Sequence, residues 1–181
     1  DAALVAAREA HRMLAQAFGP KHPSVGSALT NLGFLLEARG DYEDALVIDR
    51  QALALIREVL GPEHLAVAGA LTNLGSVLAE IGEASEGQVR SDAMQEAREL
   101  LERALAFPDQ DSRRADQRAR NRFALAKVLW FQAGSEATPE ARALALESAE
   151  AAIELFRECG VSERDALERA EAWLSAAKLG Y

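Results

Sequence analysis

The sequence has a single cysteine, Cys159, and aromatic residues make up only 6% of its 181 residues. One cysteine cannot form a disulfide within the chain, so the fold depends on packing and fits a reducing compartment, with the cytoplasm as the default location. The chain also lacks uninterrupted apolar stretches of the length that a membrane helix needs, because charged residues break them. These absences argue against a disulfide-rich secreted protein and against a membrane-spanning one.

Basic residues are outnumbered by acidic ones, with 20 Lys and Arg against 29 Asp and Glu and a formal net charge of -9. This balance disfavours non-specific binding to nucleic acid. Hydrophobic residues make up 49% of the chain, which is enough for a buried core. The chain begins at Asp1 within a stretch patterned as a helix and has no basic leader, so we expect a fragment of a longer protein.

Motifs of the common catalytic sites are missing: there is no Gly-rich phosphate loop, no His-Glu-x-x-His and no Gly-x-Ser-x-Gly. His22 and His64 occupy equivalent turns, but one histidine per turn does not make the tetrahedral ligand set that zinc requires. We expect both histidines to cap or pack the start of a helix. We expect no metal, no cofactor and no enzymatic activity.

An internal repeat with an offset of 42 residues organises the first half of the chain. The segment 19–40 aligns with 61–82 without a gap and shares 12 of 22 residues, among them the run Ala-Leu-Thr-Asn-Leu-Gly at 28–33 and 70–75. Apolar residues recur at steps of four, three and four, which predicts amphipathic helices. These positions are Val25, Leu29, Leu32 and Leu36 in one copy, and Val67, Leu71, Leu74 and Leu78 in the next.

The turn Gly-x-x-His-Pro followed by a helix with Asn-Leu-Gly resembles the tetratricopeptide repeat in its longer, kinesin light chain-like form. The resemblance implies an all-α, right-handed superhelix of about three helical hairpins. Its parts are the second helix of a truncated repeat at 1–18, a repeat at 23–60, a repeat at 65–107, a degenerate repeat at 111–159 and a capping helix at 162–179. Past residue 82 the offset rises from 42 to 52, so we place an insertion at 83–93, in the turn of the second hairpin.

In this family the first helices of the hairpins line a concave groove that receives the partner. The resemblance therefore implies a set of groove residues, which are Ser27, Asn31, Phe34, Asn73, Ser76, Arg120 and Lys127. Asn31 and Asn73 are the leading candidates, since an amide both donates to and accepts from a peptide backbone. The alternative is that each asparagine bonds a neighbouring helix or faces water. In the first case, replacing both with Ala weakens the partner and leaves the melting temperature unchanged.

The helix predicted at 115–133 is rich in arginine inside an acidic protein. Arg113, Arg120, Lys127 and Phe131 recur at helical spacing with Gln117 and Ala124, and this face would suit an acidic peptide. The alternative is a solvated face whose arginines pair with nearby carboxylates. The rotation of this helix also stays open, because a shift of one residue places Trp130 in the core.

These patterns predict a protein-interaction module that binds a peptide or a partner segment. The alternative is a sensor or scaffold arm of a larger signalling protein, such as a bacterial ATPase or a protease-like effector, which contacts its own parent chain. A third interpretation, nucleic-acid binding through the Arg-rich helix, is opposed by the net charge.

Overall fold

The computed structural model describes residues 2–108, 115–134 and 138–179. Within these ranges the chain forms eight α-helices and no β-strand, as the sequence predicts. A short 3₁₀ turn at Gly160–Glu163 precedes the last helix. The helices are α1 (Ala2–Phe18), α2 (Pro23–Arg39), α3 (Tyr42–Leu60), α4 (Leu65–Ala84), α5 (Gly87–Leu105), α6 (Ala115–Ala133), α7 (Pro139–Cys159) and α8 (Arg164–Leu179).

The two repeated turns end and start helices in the way that the histidines predict. The Nδ1 atom of His22 accepts a hydrogen bond from the backbone N–H of Ser24 at 3.2 Å, and His64 accepts from Ala66 at 3.1 Å. Each bond satisfies one of the N–H groups that the first turn of a helix leaves without a partner. The prediction that both histidines cap helix starts is confirmed.

The helices pack as successive hairpins, in which α2 pairs with α3, α4 with α5 and α6 with α7. The first helices of the hairpins also contact one another directly, α2 with α4 and α4 with α6. This line of first helices forms one side of the array, which we call the concave face. α1 packs on α2 as a second helix would, and α8 packs on α7 as a further first helix would.

The centre of the array is built around α4. Its residues Leu71 and Val67 are fully buried, and they belong to a core cluster that also contains Leu101 of α5 and Val128 of α6. Among the helices that the structure describes, α4 alone has the length and apolar composition of a membrane span, although two thirds of that stretch is buried against its neighbours. Burial in the array accounts for its apolar sequence.

The interval 83–93 is not an enlarged turn, because only Ser85 and Glu86 separate α4 from α5. The other residues lengthen both helices of the hairpin. The added turns pack on each other: a Cβ at Gly82 would lie 2.9 Å from the Met94 side chain, and Arg90 donates to the Gly82 carbonyl oxygen at 3.2 Å. The sequence placed the extra residues in the correct hairpin, but their helical propensity and this packing make them helix rather than loop.

The last helix is attached to α6 through aromatic rings. Trp173 of α8 meets Trp130 and Phe123 of α6 edge-on, each with a centroid separation of 5.9 Å. Trp130 is half-buried and packs against the core, whereas Phe131 is exposed under the guanidinium of Arg90. This settles the rotation of α6 that the sequence left open.

Candidate functional site

The structure brings the seven predicted groove residues to three first helices, but it exposes them to different degrees. Ser27, Asn31 and Phe34 lie on α2 and are exposed, Phe34 to 40%. Ser76 of α4 and Arg120 of α6 are half-buried. The remaining two, Asn73 and Lys127, are buried, so the accessible part of the set is concentrated on α2.

Asn73 joins two repeats instead of facing a ligand. Its amide nitrogen donates to the backbone carbonyl oxygen of Thr30 at 3.1 Å, and its side chain is almost completely buried. A buried donor whose bond is removed leaves the partner unsatisfied at a cost of about 1–3 kcal/mol. Replacing Asn73 with Ala is therefore expected to lower stability, contrary to the expectation that the melting temperature would not change.

Asn31 has the equivalent position in the preceding copy but a different environment. It is exposed, and its amide has no partner among the described residues. The two asparagines share a motif and differ because α2 lies beside Asn73, while no described helix lies in the equivalent place beside Asn31. Asn31 is the amide of this pair that is open to a ligand.

Sequence reasoning missed a third inner asparagine, Asn121 of α6. It is buried, and its amide nitrogen donates to the hydroxyl oxygen of Thr72 at 3.0 Å, so it joins α6 to α4 as Asn73 joins α4 to α2. The match of Leu125-Ala126 to the Leu-Gly pair puts Ala124, not Asn121, at the asparagine position. The repeat therefore gave no signal for it.

Gln117 of α6 lies flat on a glycine of α4. A Cβ at Gly69 would come within 2.4 Å of the Gln117 amide nitrogen, so a glycine at this position allows the close approach. The approach fills the inner side between α4 and α6, and it leaves the wider part of the concave face at α2.

Arg120 reaches from α6 to the exposed aromatic ring of α2. Its guanidinium carbon lies 4.7 Å from the centroid of Phe34, within the range of a cation–π interaction. One terminal nitrogen pairs with Asp116 at 3.0 Å, while the Nε atom has no hydrogen-bond partner in the part of the chain that the structure describes. Phe34 and Arg120 together form an aromatic and cationic shelf beside Asn31.

Lys127 is the centre of an ion-pair network, so it is not available to a partner. Its Nζ atom lies 2.6 Å from Glu80 and 2.8 Å from Glu83 of α4, and Tyr42 of α3 also donates to Glu80. Burial acts to lower the pKa of Lys127, but the two carboxylates outweigh it and the net shift is upward. For Lys127, the alternative of an internally paired arginine and lysine face is the correct one.

The rest of the predicted basic face contributes less than the sequence suggests. Arg113 lies outside the described residues, and Arg118 already has an interaction partner. Glu37 of α2 adds negative charge next to the network: desolvation and the nearby Glu80 raise its pKa to about 7, while Arg120, Lys127 and Arg169 oppose the rise. The concave face thus carries both signs of charge.

Comparison with known protein families identifies the repeat. Residues 1–54 and 24–86 each match the family model for the tetratricopeptide repeat, a fold that mediates protein–protein interactions and is not itself catalytic. A comparison with curated proteins found no significant match to the chain. Among the described residues, no group of three or more His, Cys, Asp and Glu side chains is arranged to hold a metal ion.

Proposed function

Because this chain is an all-α solenoid of tetratricopeptide repeats, a fold that generally serves protein–protein interaction, we propose that it binds a segment of a partner protein on the concave face, at the exposed surface of α2. Ser27, Asn31 and Phe34 form that surface, and Arg120 of α6 borders it. The observation that carries the proposal is the contrast within the repeat: Asn73 is used to join helices, whereas the equivalent Asn31 is open.

The exposed groups suit an extended segment. The Asn31 amide can donate to and accept from a peptide backbone, which fixes register without reading sequence. Phe34 offers an aromatic surface, and aromatic residues with arginine are enriched among residues that dominate binding energy. An acidic side chain in the partner would pair with the Arg120 guanidinium, whose Nε atom has no partner. Since Lys127 is neutralised by Glu80 and Glu83, the acidic preference depends on Arg120.

The test is the paired replacement of Asn31 and Phe34 with Ala. Partners are first captured by crosslinking from a cell extract, identified, and titrated with the purified chain. We expect the double variant to lose about tenfold or more in affinity, because Ala removes both the amide and the aromatic ring. Its melting temperature should stay within the error of the native chain, since both side chains are exposed.

The control is Val47→Ala, which removes an apolar side chain of similar exposure, 55%, from the second helix α3. It should bind the partner with native affinity. A partner that is lost by Val47→Ala and kept by the Asn31 and Phe34 double variant would overturn the assignment of the binding surface.

The source of the segment separates two versions of this proposal. Binding to a separate protein supports an interaction module, while binding only to other domains of a longer parent chain supports the sensor or scaffold arm. The offset of 42 residues and the Gly-x-x-His turns further support the kinesin light chain-like form of the repeat.

A further inference from the structure

A carboxylate is buried in the first hairpin without a partner. Asp49 of α3 is 1% exposed, and neither of its oxygens has a hydrogen bond within the described part of the chain. An ionised carboxylate in such a place is far more costly than a neutral one. Burial accordingly raises the pKa of Asp49 to about 8, with Glu37 adding to the rise.

The carboxylate lies directly on the backbone of α2. A Cβ at Gly33 would fall 1.9 Å from one oxygen of Asp49 and 3.1 Å from the other, so a glycine makes this contact possible. In the next hairpin the equivalent glycine, Gly75, receives the side chain of Leu101 instead. A leucine packs there as an ordinary core residue, fully buried. Asp49 therefore occupies a core position of the hairpin with a titratable group.

The charged groups near this contact do not supply a counter-ion for Asp49. The charged residue that acts on it is Glu37, four residues from Gly33 on α2, and that interaction is repulsive. The groups that face Glu37 from the other elements are Glu80 of α4, Arg120 and Lys127 of α6 and Arg169 of α8. Lys127 is already paired with Glu80 and Glu83, and Arg120 with Asp116. The first hairpin consequently has two neighbouring carboxylates and no cation paired directly with either.

We propose that Asp49 and Glu37 form a proton-dependent joint between α2 and α3, which is closed while Asp49 is protonated and loosened when both carboxylates are ionised. When Asp49 gives up its proton to water, the charge left behind is stabilised only if water reaches the contact with Gly33. Helix α2 then separates from α3. Because α2 carries Asn31 and Phe34, the joint also controls the exposed surface of the concave face.

The direction of the pH effect follows from the number of bound protons. In the unfolded chain the pKa of Asp49 returns to its ordinary value of 3.8, so between that value and about 8 the folded state holds more protons than the unfolded state. The contribution to stability is therefore greatest at low pH and is lost as the pH rises through the folded value. This is the reverse of a carboxylate held by a salt bridge.

The test is urea unfolding of the whole chain at pH 6 and pH 9, comparing the native chain with Asp49→Leu, which copies the residue of the next hairpin. For the native chain we expect the folding equilibrium constant to fall by roughly ten- to a hundredfold between the two pH values. The Asp49→Leu variant should lose most of this fall and be more stable than the native chain at pH 9.

Two further variants complete the design. Asp49→Asn keeps the shape and removes the charge, so it carries the comparison if the leucine variant does not fold. Asp44→Asn removes an exposed carboxylate from the same helix and should behave as the native chain does. Equal falls between pH 6 and pH 9 in the native chain and in the folded Asp49 variants would overturn the proposal.

Discussion

Replacing Lys127 with Met is expected to lower the free energy of unfolding by about 2–4 kcal/mol, because it leaves Glu80 and Glu83 without their shared cation in a largely buried place. Methionine keeps most of the side-chain volume, so the loss reports the charge rather than a cavity. Urea unfolding at neutral pH measures the effect. The network joins α6 to α4, and α4 to α3 through Tyr42, so the loss concerns the cohesion of the array.

The matched control adds Glu80→Gln and Glu83→Gln to the Lys127→Met variant. Removing the two charges should recover part of the stability, since no buried charge is then left unpaired. If the single Lys127 variant were as stable as the native chain, the ion pairs would not be holding α6 on α4. The face would then be open to a partner, as one interpretation of the sequence has it.

Replacing Leu101 with Asp should cost more than 3 kcal/mol near pH 8, because it places a carboxylate in a fully buried position that packs on Gly75. The variant copies the Gly33–Asp49 contact into the second hairpin. The cost should shrink at lower pH, where the introduced carboxyl is neutral. Urea unfolding at pH 5.5 and pH 8.5 gives both values.

The control for this variant is Leu101→Asn, which loses the same apolar packing and introduces no charge. Its cost should be nearly the same at the two pH values. A Leu101→Asp variant that shows no more pH dependence than Leu101→Asn would mean that this glycine contact admits water, and the explanation given for Asp49 would fail with it.

The sequence could predict the hairpins because their signals are local. The repeated turn, the glycines and the apolar spacing specify where helices begin, end and bury a face, and the His22 and His64 caps depend only on residues two positions away. The length of the second hairpin was less accessible. The apolar register of α5 showed that residues had been added, but whether they formed turn or helix depended on packing between Gly82 and Met94.

The candidate site was harder to predict, because exposure depends on what lies alongside each helix. Asn31 and Asn73 are identical in motif, yet one is open and the other is bonded to Thr30 of the neighbouring helix. The pairing of Lys127 with Glu80 and Glu83 joins residues more than 40 positions apart, and composition alone could not choose between that pairing and a free basic face.

Asp49 was invisible to pattern reasoning for a related reason. A lone acidic residue on an amphipathic helix is normally solvated, and its burial here follows from the contact with Gly33 across the hairpin. Only a comparison of the two hairpins, with Leu101 in the corresponding place, shows that a charge has replaced an apolar group.

Site-specific photo-crosslinking tests the central claim most directly. A photoreactive amino acid is introduced in place of Phe34 on α2 in one variant and of Val47 on α3 in another, and each is irradiated with the identified partner. The concave-face account predicts a crosslink to one defined segment of the partner from position 34 and none from position 47. A crosslink from position 47 alone would contradict it.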